Sequence, residues 1–243
     1  MLPITLTCYF TSMLSDEVLQ HITASLQTLF GIEVRLQGVQ RVFGGDINQT
    51  FLLQTTASKF FLKTNGNALP GMFEKESNGL ALLKSTNTLH VPTPLINGHI
   101  DQTSFLVMEW VEKGKPAKNF WQQFGYGLSN LHKHTQPNFG LDEDNYIGSI
   151  PQPNAETPTW AAFYAQQRIV PLMQTALRQH KCSLVDMKNA EKLCASLMNC
   201  FPLNRPHYCM VIYGEATLCR AQQGSRLFTT LLCIMATAKW ILL

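Results

Sequence analysis

Apolar residues Leu19, Ile22, Leu26 and Leu29 fall three or four apart, which gathers them on one face of a helix. Ser15 ahead of them is a good N-cap, Asp16 and Glu17 sit where a first turn favours negative charge, and Gly31 is a natural stop. The pattern then changes period. Residues 33–43 mix Val and Leu with polar residues in a strand-like way and break at Gly44-Gly45. The strand pattern resumes over 50–55 and 59–64, joined by the turn TASK, so three antiparallel strands are predicted. Residues 71–84 read as a helix with Phe73, Leu80 and Leu83 on one face, and HVPTPL reads as an extended, Pro-punctuated segment. A further hairpin, turning at Asn97-Gly98, ends in the apolar strand SFLVMEWV.

Beyond Gly114 the period is helical throughout. Phe120, Phe124, Leu128 and Leu131 share one face. Trp160, Phe163, Val170, Met173 and Leu177 form a second stripe with Pro171 as its kink, and residues 185–198 form a third. Between the first two stripes lies FGLDEDNYIGSIPQPN, and a connection of that length inside a compact domain is more often functional than idle. The fold class that follows is α+β: a small antiparallel-sheet lobe, a linker near 109–115, and a helical lobe.

Composition narrows the partners. Charged residues make up 14% of the chain and the net charge is +3, too small and too dispersed for a nucleic-acid surface, so a small-molecule substrate is expected. The seven cysteines are an odd number without CxxC or zinc spacing, which fits a reducing cytosol. MLPITLTCYFTS lacks the basic and continuous apolar regions of a signal peptide, and Met13 is a candidate start. LFTTLLCIMATAKWILL is shorter than the roughly 20 residues of a span and carries Lys239, so no membrane partner is expected.

Four pieces carry candidate chemistry. In VFGGDINQTF a paired-glycine turn lets backbone N–H groups approach a phosphate, although such a turn is common in any sheet. FFLKTN sets Lys63 among apolar neighbours, where an ammonium needs an anion; strand lysines otherwise protect edges. Glu76 follows on the next helix, in the order of a kinase's strand lysine and helix glutamate, or else simply faces water. FLVMEWV leaves the sheet lobe, where Met108 could pack on an adenine and the backbone of Glu109 and Val111 could hydrogen-bond its edge. His132 and His134, two apart on a helix, share no face and read as surface histidines. Trp160, at helical spacing with Phe163, reads by itself as core.

From about residue 14 to 202 these segments, together with MFEKESNGL, VPTPL, LHKHT and TWAAFYAQQRI, resemble the fructosamine or ketosamine 3-kinases, whose protein-kinase-like fold is related to that of aminoglycoside phosphotransferases. The resemblance implies ATP and Mg²⁺ as cofactors and a ketosamine or glycated amine as substrate. It implies a phosphate loop with Gly44, Gly45 and Asn48, Lys63 at the α/β-phosphates, Glu76 as its ion-pair partner, and Met108, Glu109 and Val111 at the adenine. Asp144, Asn145, Gln152 and Trp160 are implied to shape the sugar-amine site. Many relatives carry Cys where this chain has Asp46, so no redox switch is expected there. The alternatives are a non-catalytic nucleotide-binding remnant and a kinase of aminoglycosides or choline-like alcohols.

The family's catalytic and metal motifs, HGDLWxGN and a later Asp-Pro-Ala, are missing, and no aspartate follows Asn204. Read from the third base of each codon, however, Met210-Val211 forces Gly (GGT), Met235-Ala236 forces Gly (GGC) and Trp240-Ile241 forces Asp (GAT). Codon degeneracy permits Leu-Leu-His-Gly-Asp-Leu-Trp-x-Gly-Asn-Phe around the first and Asp-Pro-Ala-Val-Tyr-Tyr-Gly-His-Arg-Glu-Met-Asp around the others. A frameshift between about residues 203 and 207 is therefore expected. Its implications are an extension over 1–13, a nucleotide-binding lobe over 14–112, a truncated helical lobe over 113–204, a tail over 205–243 never selected to fold, and an inactive chain without catalytic or metal residues.

Overall fold

The computed structural model describes residues 14–42, 47–112, 114 and 117–200, and beyond them four short strands. The chain divides into two compact units, one comprising residues up to 74 with 93–111, the other 75–92 with the residues from 112 onward.

The first unit opens with α1 (Asp16–Phe30). Its N-cap Ser15 accepts from the Val18 N–H at 3.3 Å, and Gly31 closes it in the left-handed conformation at φ +66°. The buried stripe is Val18, Ile22 and Leu26, while Leu29 is half exposed. The expected stripe is thus rotated: spacing by four from Val18 gives one continuous line toward the sheet, and Leu29 falls past its end.

β1 (Leu36–Val42), β2 (Gln49–Thr55), β3 (Lys59–Asn65), β4 (Pro94–Ile100) and β5 (Thr103–Glu109) form one antiparallel sheet in the order β1-β2-β3-β5-β4. The TASK turn joins β2 to β3 as expected, with Thr55 Oγ1 donating to the Ser58 carbonyl. The β4–β5 turn differs from expectation. Asn97 and Gly98 lie inside β4, and the chain reverses at Asp101, which takes φ +51°. A Cβ on Gly98 would stand 2.8 Å from Phe105 Cζ, so the glycine makes room for a ring rather than for a turn. Val18, Ile22, Leu26, Phe51, Leu53, Phe60, Leu62, Phe105 and Val107 close a core between α1 and one sheet face.

Helix α2 (Met72–Ser85) buries Phe73, Leu80 and Leu83 as its period predicts. The second unit continues with α3 (Phe120–Leu131), which buries Phe120, Phe124, Gly127 and Leu131 and leaves Leu128 half-buried. His132 caps its C-terminus and His134 lies past it, so the two histidines are not on one helix.

The long connection is not irregular. It holds a small hairpin of β6 (Asn145–Ile147) and β7 (Ile150–Gln152), turning through Gly148 at φ +59°. The expected kink at Pro171 is realised upstream: α4 (Trp160–Tyr164) passes into a π turn (Ala165–Ile169) before α5 (Val170–Arg178). Proline lacks an N–H and crowds the carbonyl four residues back, and a wider turn relieves both. α5 buries no residue, and α6 (Leu184–Cys200) has none buried among its described side chains.

β8 (Tyr208–Val211) pairs antiparallel with β11 (Leu232–Met235), and β9 (Leu218–Arg220) with β10 (Arg226–Phe228). Residues 1–13 and the chain between these last strands lie outside the described residues, as do the expectations placed on them. No helix among the described residues is long and apolar enough to cross a membrane.

Candidate kinase site

Strand β3 presents the clearest cation. Lys63 is 4% exposed, and its Nζ stands 5.9 Å from the centre of the Phe73 ring. Burial on a central strand fixes the side chain through its apolar neighbours, and an ammonium withdrawn from water favours an anionic ligand. Gly44 and Gly45 lie outside the described residues. Asn48, at the other end of the same loop, accepts from Asn65 Nδ2 at 2.9 Å, and Asn65 Oδ1 in turn accepts the Asn67 N–H at 2.7 Å. Asn65 therefore ties the loop's return to the strand that carries Lys63. The sequence reading missed it; its one signal was a polar residue two positions beyond the lysine.

At the end of β5, Met108 is buried. Glu109 is bound into the sheet: its N–H donates to the Thr93 carbonyl at 2.9 Å, and its carboxylate accepts from the Thr93 hydroxyl at 3.0 Å and from the Thr93 N–H. That backbone N–H is committed to the protein. Val111 is half-buried, as is Glu76 on α2.

In the second unit the expected substrate residues cluster on the hairpin. Asp144 is exposed and Asn145 half-buried, while Gln152 is buried. The Asp144 carboxylate accepts from the Asn154 N–H at 2.7 Å, and its carbonyl accepts from Lys75 Nζ. Trp160 is buried with Phe139, Ala161 and Phe163 and stacks on Tyr164 at 5.0 Å, a packing position. Two residues went unnoticed in the sequence. Asn154 is 1% exposed, and Arg168 is buried on the π turn with its guanidinium 4.6 Å from the Phe163 ring centre. Residues five apart do not meet on an α-helix, where i+3 and i+4 are neighbours; the π turn brings this pair together. A lone arginine between WAAFYAQQ and IV was the available signal. Burial lowers the Arg168 pKa to about 10, with Tyr164 and Asp144 pulling it back up, so it stays a cation at neutral pH.

Among the described residues no three His, Cys, Asp or Glu side chains gather into a metal-binding group. Within the first unit Lys63 supplies charge and Asn48 a tie beside it; the hairpin belongs to the second unit.

A family model described as fructosamine kinase matches residues 18–215. The chain belongs to the fructosamine kinase family. It is 36% identical over 151 residues to a candidate ketoamine kinase of Synechocystis, covering 62% of this chain and 51% of the relative. It is 37% identical over 142 residues to a chloroplastic protein-ribulosamine 3-kinase of Oryza sativa subsp. japonica, covering 57% and 41%. The chain spans about half the length of the first curated relatives it matches. A crystal structure of a candidate fructosamine-3-kinase from Haemophilus somnus superposes with a TM-score of 0.78 at 23% identity, covering 88% of this chain and 72% of that one. An aminoglycoside phosphotransferase in complex with AMP-PNP and hygromycin B gives 0.56 at 12%, covering 88% and 72%. The fold of this family member is protein-kinase-like.

Proposed function

We propose that this family member derives from an ATP-dependent kinase of ketosamines, transferring the γ-phosphoryl group to the 3-hydroxyl of a fructosamine or related glycated amine. The observation that carries the reading is the buried Lys63 on β3, inside a segment that the fructosamine kinase model matches. In such a reaction the transition state spreads charge over the phosphoryl oxygens, and catalysis is mostly positioning and electrostatics. Lys63 would hold the α/β-phosphates, with Asn48 and the Gly44-Gly45 turn around them. Met108 would pack on the adenine, with the backbone of Glu109 and Val111 at its edge. The hairpin with Asp144, Asn145 and Gln152 would receive the sugar-amine. Mg²⁺ would neutralise phosphate charge.

The chain as written is proposed to bind nucleotide without transferring phosphate, because its reading frame changes between about residues 203 and 207 and removes the catalytic-loop aspartate. The deciding experiment sequences the gene across that region and compares this chain with the frame-restored protein, using AMP-PNP-dependent thermal stabilisation and phosphorylation of fructosyl-lysine. Stabilisation of both with turnover only in the restored protein is expected. Equal turnover by the two would refute the frame reading, and no turnover by the restored protein would refute the kinase reading.

A further inference from the structure

Four hydrogen-bonding groups of one buried residue meet at the base of the β6–β7 hairpin. Asn154 donates from its backbone N–H to Asp144 Oδ1 at 2.7 Å and from Nδ2 to the Glu143 carbonyl at 3.0 Å. Its carbonyl accepts from the Leu141 N–H at 3.0 Å, and its Oδ1 accepts from Arg168 Nη2 at 2.6 Å. Arg168 also donates to the carbonyls of Pro153 and Gln167. All of these direct partners are neutral acceptors. Burying a guanidinium with no directly bonded anion is costly even with Asp144 acting on it through space, and what it gains is direction: its planar fork fixes several acceptors at once, as a lysine cannot.

A second set of bonds holds the segment leading into the hairpin. Lys75 and Asn78 lie three apart on α2, on one face. Asn78 Nδ2 donates to Glu143 Oε1 at 2.8 Å, while Lys75 Nζ reaches the Asp144 carbonyl and stands 3.5 Å from Glu143 Oε2. The hairpin is thus tied on one side by a buried arginine and on the other by partly exposed α2 residues. Within it, Gln152 is 5% exposed and its Oε1 has no hydrogen-bond partner. A buried acceptor left open is the kind of group a ligand hydroxyl satisfies.

We propose that Arg168 is the positioning residue of the 145–152 hairpin, acting through Asn154 on Asp144, and that this frame sets affinity for the sugar-amine but not for nucleotide. The ligand's identity rests on the proposed function; the pinning does not.

The test uses the full chain, hydrogen exchange over 141–157 against the β2–β3 peptide, and calorimetric titration with fructosyl-lysine and with AMP-PNP. For Arg168→Met the expected result is at least about tenfold faster exchange across 141–157, fructosyl-lysine affinity down by about tenfold, and AMP-PNP affinity within about twofold. Arg168→Lys should recover part of the protection. Lys75→Met, on a partly exposed side chain, should weaken fructosyl-lysine about two- to threefold. Unchanged exchange in Arg168→Met, or equal loss of both ligands, overturns the proposal. Should Arg168→Met fail to fold, unchanged exchange across 141–157 in Asn154→Ala, which removes the amide through which Arg168 acts, overturns it. If the unaltered chain binds AMP-PNP but no ketosamine while Arg168→Met loses protection, the pinning stands and the substrate assignment falls.

Discussion

The sheet unit and the α5–α6 segment solve the burial problem differently. In the sheet unit α1 lies on one face, and Leu26, Leu62 and Val107 reach complete burial within that unit. Along α5 and α6 apolar residues also recur at helical spacing, yet Leu172, Leu184, Val185 and Leu193 are each at least half exposed. The difference teaches that periodicity reports which face of a helix is apolar, and not whether anything covers it.

The sharpest way to break this comparison is to truncate one side chain in each region. Phe105→Ala, at a site 1% exposed, should cost about 3–5 kcal/mol in urea unfolding. Leu193→Ala, at 52% exposure, should stay within about 0.5 kcal/mol. A Leu193→Ala cost comparable to that of Phe105→Ala would mean that the α6 face is covered after all.

A second pair separates backbone crowding from backbone conformation. Gly140 has φ +147°, and a Cβ there would stand 2.6 Å from the Asn154 carbonyl oxygen. Gly140→Ala should therefore cost about 2–3 kcal/mol and speed exchange across 141–157. Gly31 is also left-handed, at φ +66°, but a Cβ would meet nothing within 4 Å. Gly31→Ala should cost about 1 kcal/mol, read as a smaller thermal shift.

The smallest effect is a pH effect at the start of α6. The Ser183 N–H and hydroxyl donate to Asp186 at 2.9 and 2.7 Å, and Ser183 Oγ accepts the Asp186 N–H at 3.2 Å, a reciprocal cap. These bonds, backbone first, hold the Asp186 carboxyl below its ordinary value of 3.8. A depressed folded-state pKa contributes stability that is present above the unfolded value and lost as pH falls through the folded one. Amide signals of the first α6 turn should therefore weaken below pH 3.8 in the parent, and Ser183→Ala should weaken them already at neutral pH.

The helices and the first three strands were legible because their apolar period is local: α1 begins and ends at its predicted caps, and α2 buries its predicted face. The β4–β5 turn was misplaced because Asn-Gly is a turn signal only when nothing distant needs the glycine, and here Phe105 does. The β6–β7 hairpin was read as a loop since three-residue strands are too short to show alternation. Lys63 and Met108 stood out as charged and apolar residues in a telling order. Asn154 and Arg168 did not, because their importance lies in hydrogen bonds to carbonyls that any sequence possesses. Gly44 and Gly45 lie outside the described residues, and the geometry around Lys63 stands without them.

The π turn at 165–169 can also be viewed as an inserted residue. An α-helix turns through about 100° per residue, so an extra residue would rotate everything after it by that much unless a wider turn absorbs it. Deleting Gln166 would leave Phe163 and Arg168 four apart, the spacing an ordinary α-helical turn already makes neighbours, so the shortened segment should keep the pair together without the π turn. The wide turn thus stores a one-residue difference in chain length, a variable that no substitution of side chains can reproduce.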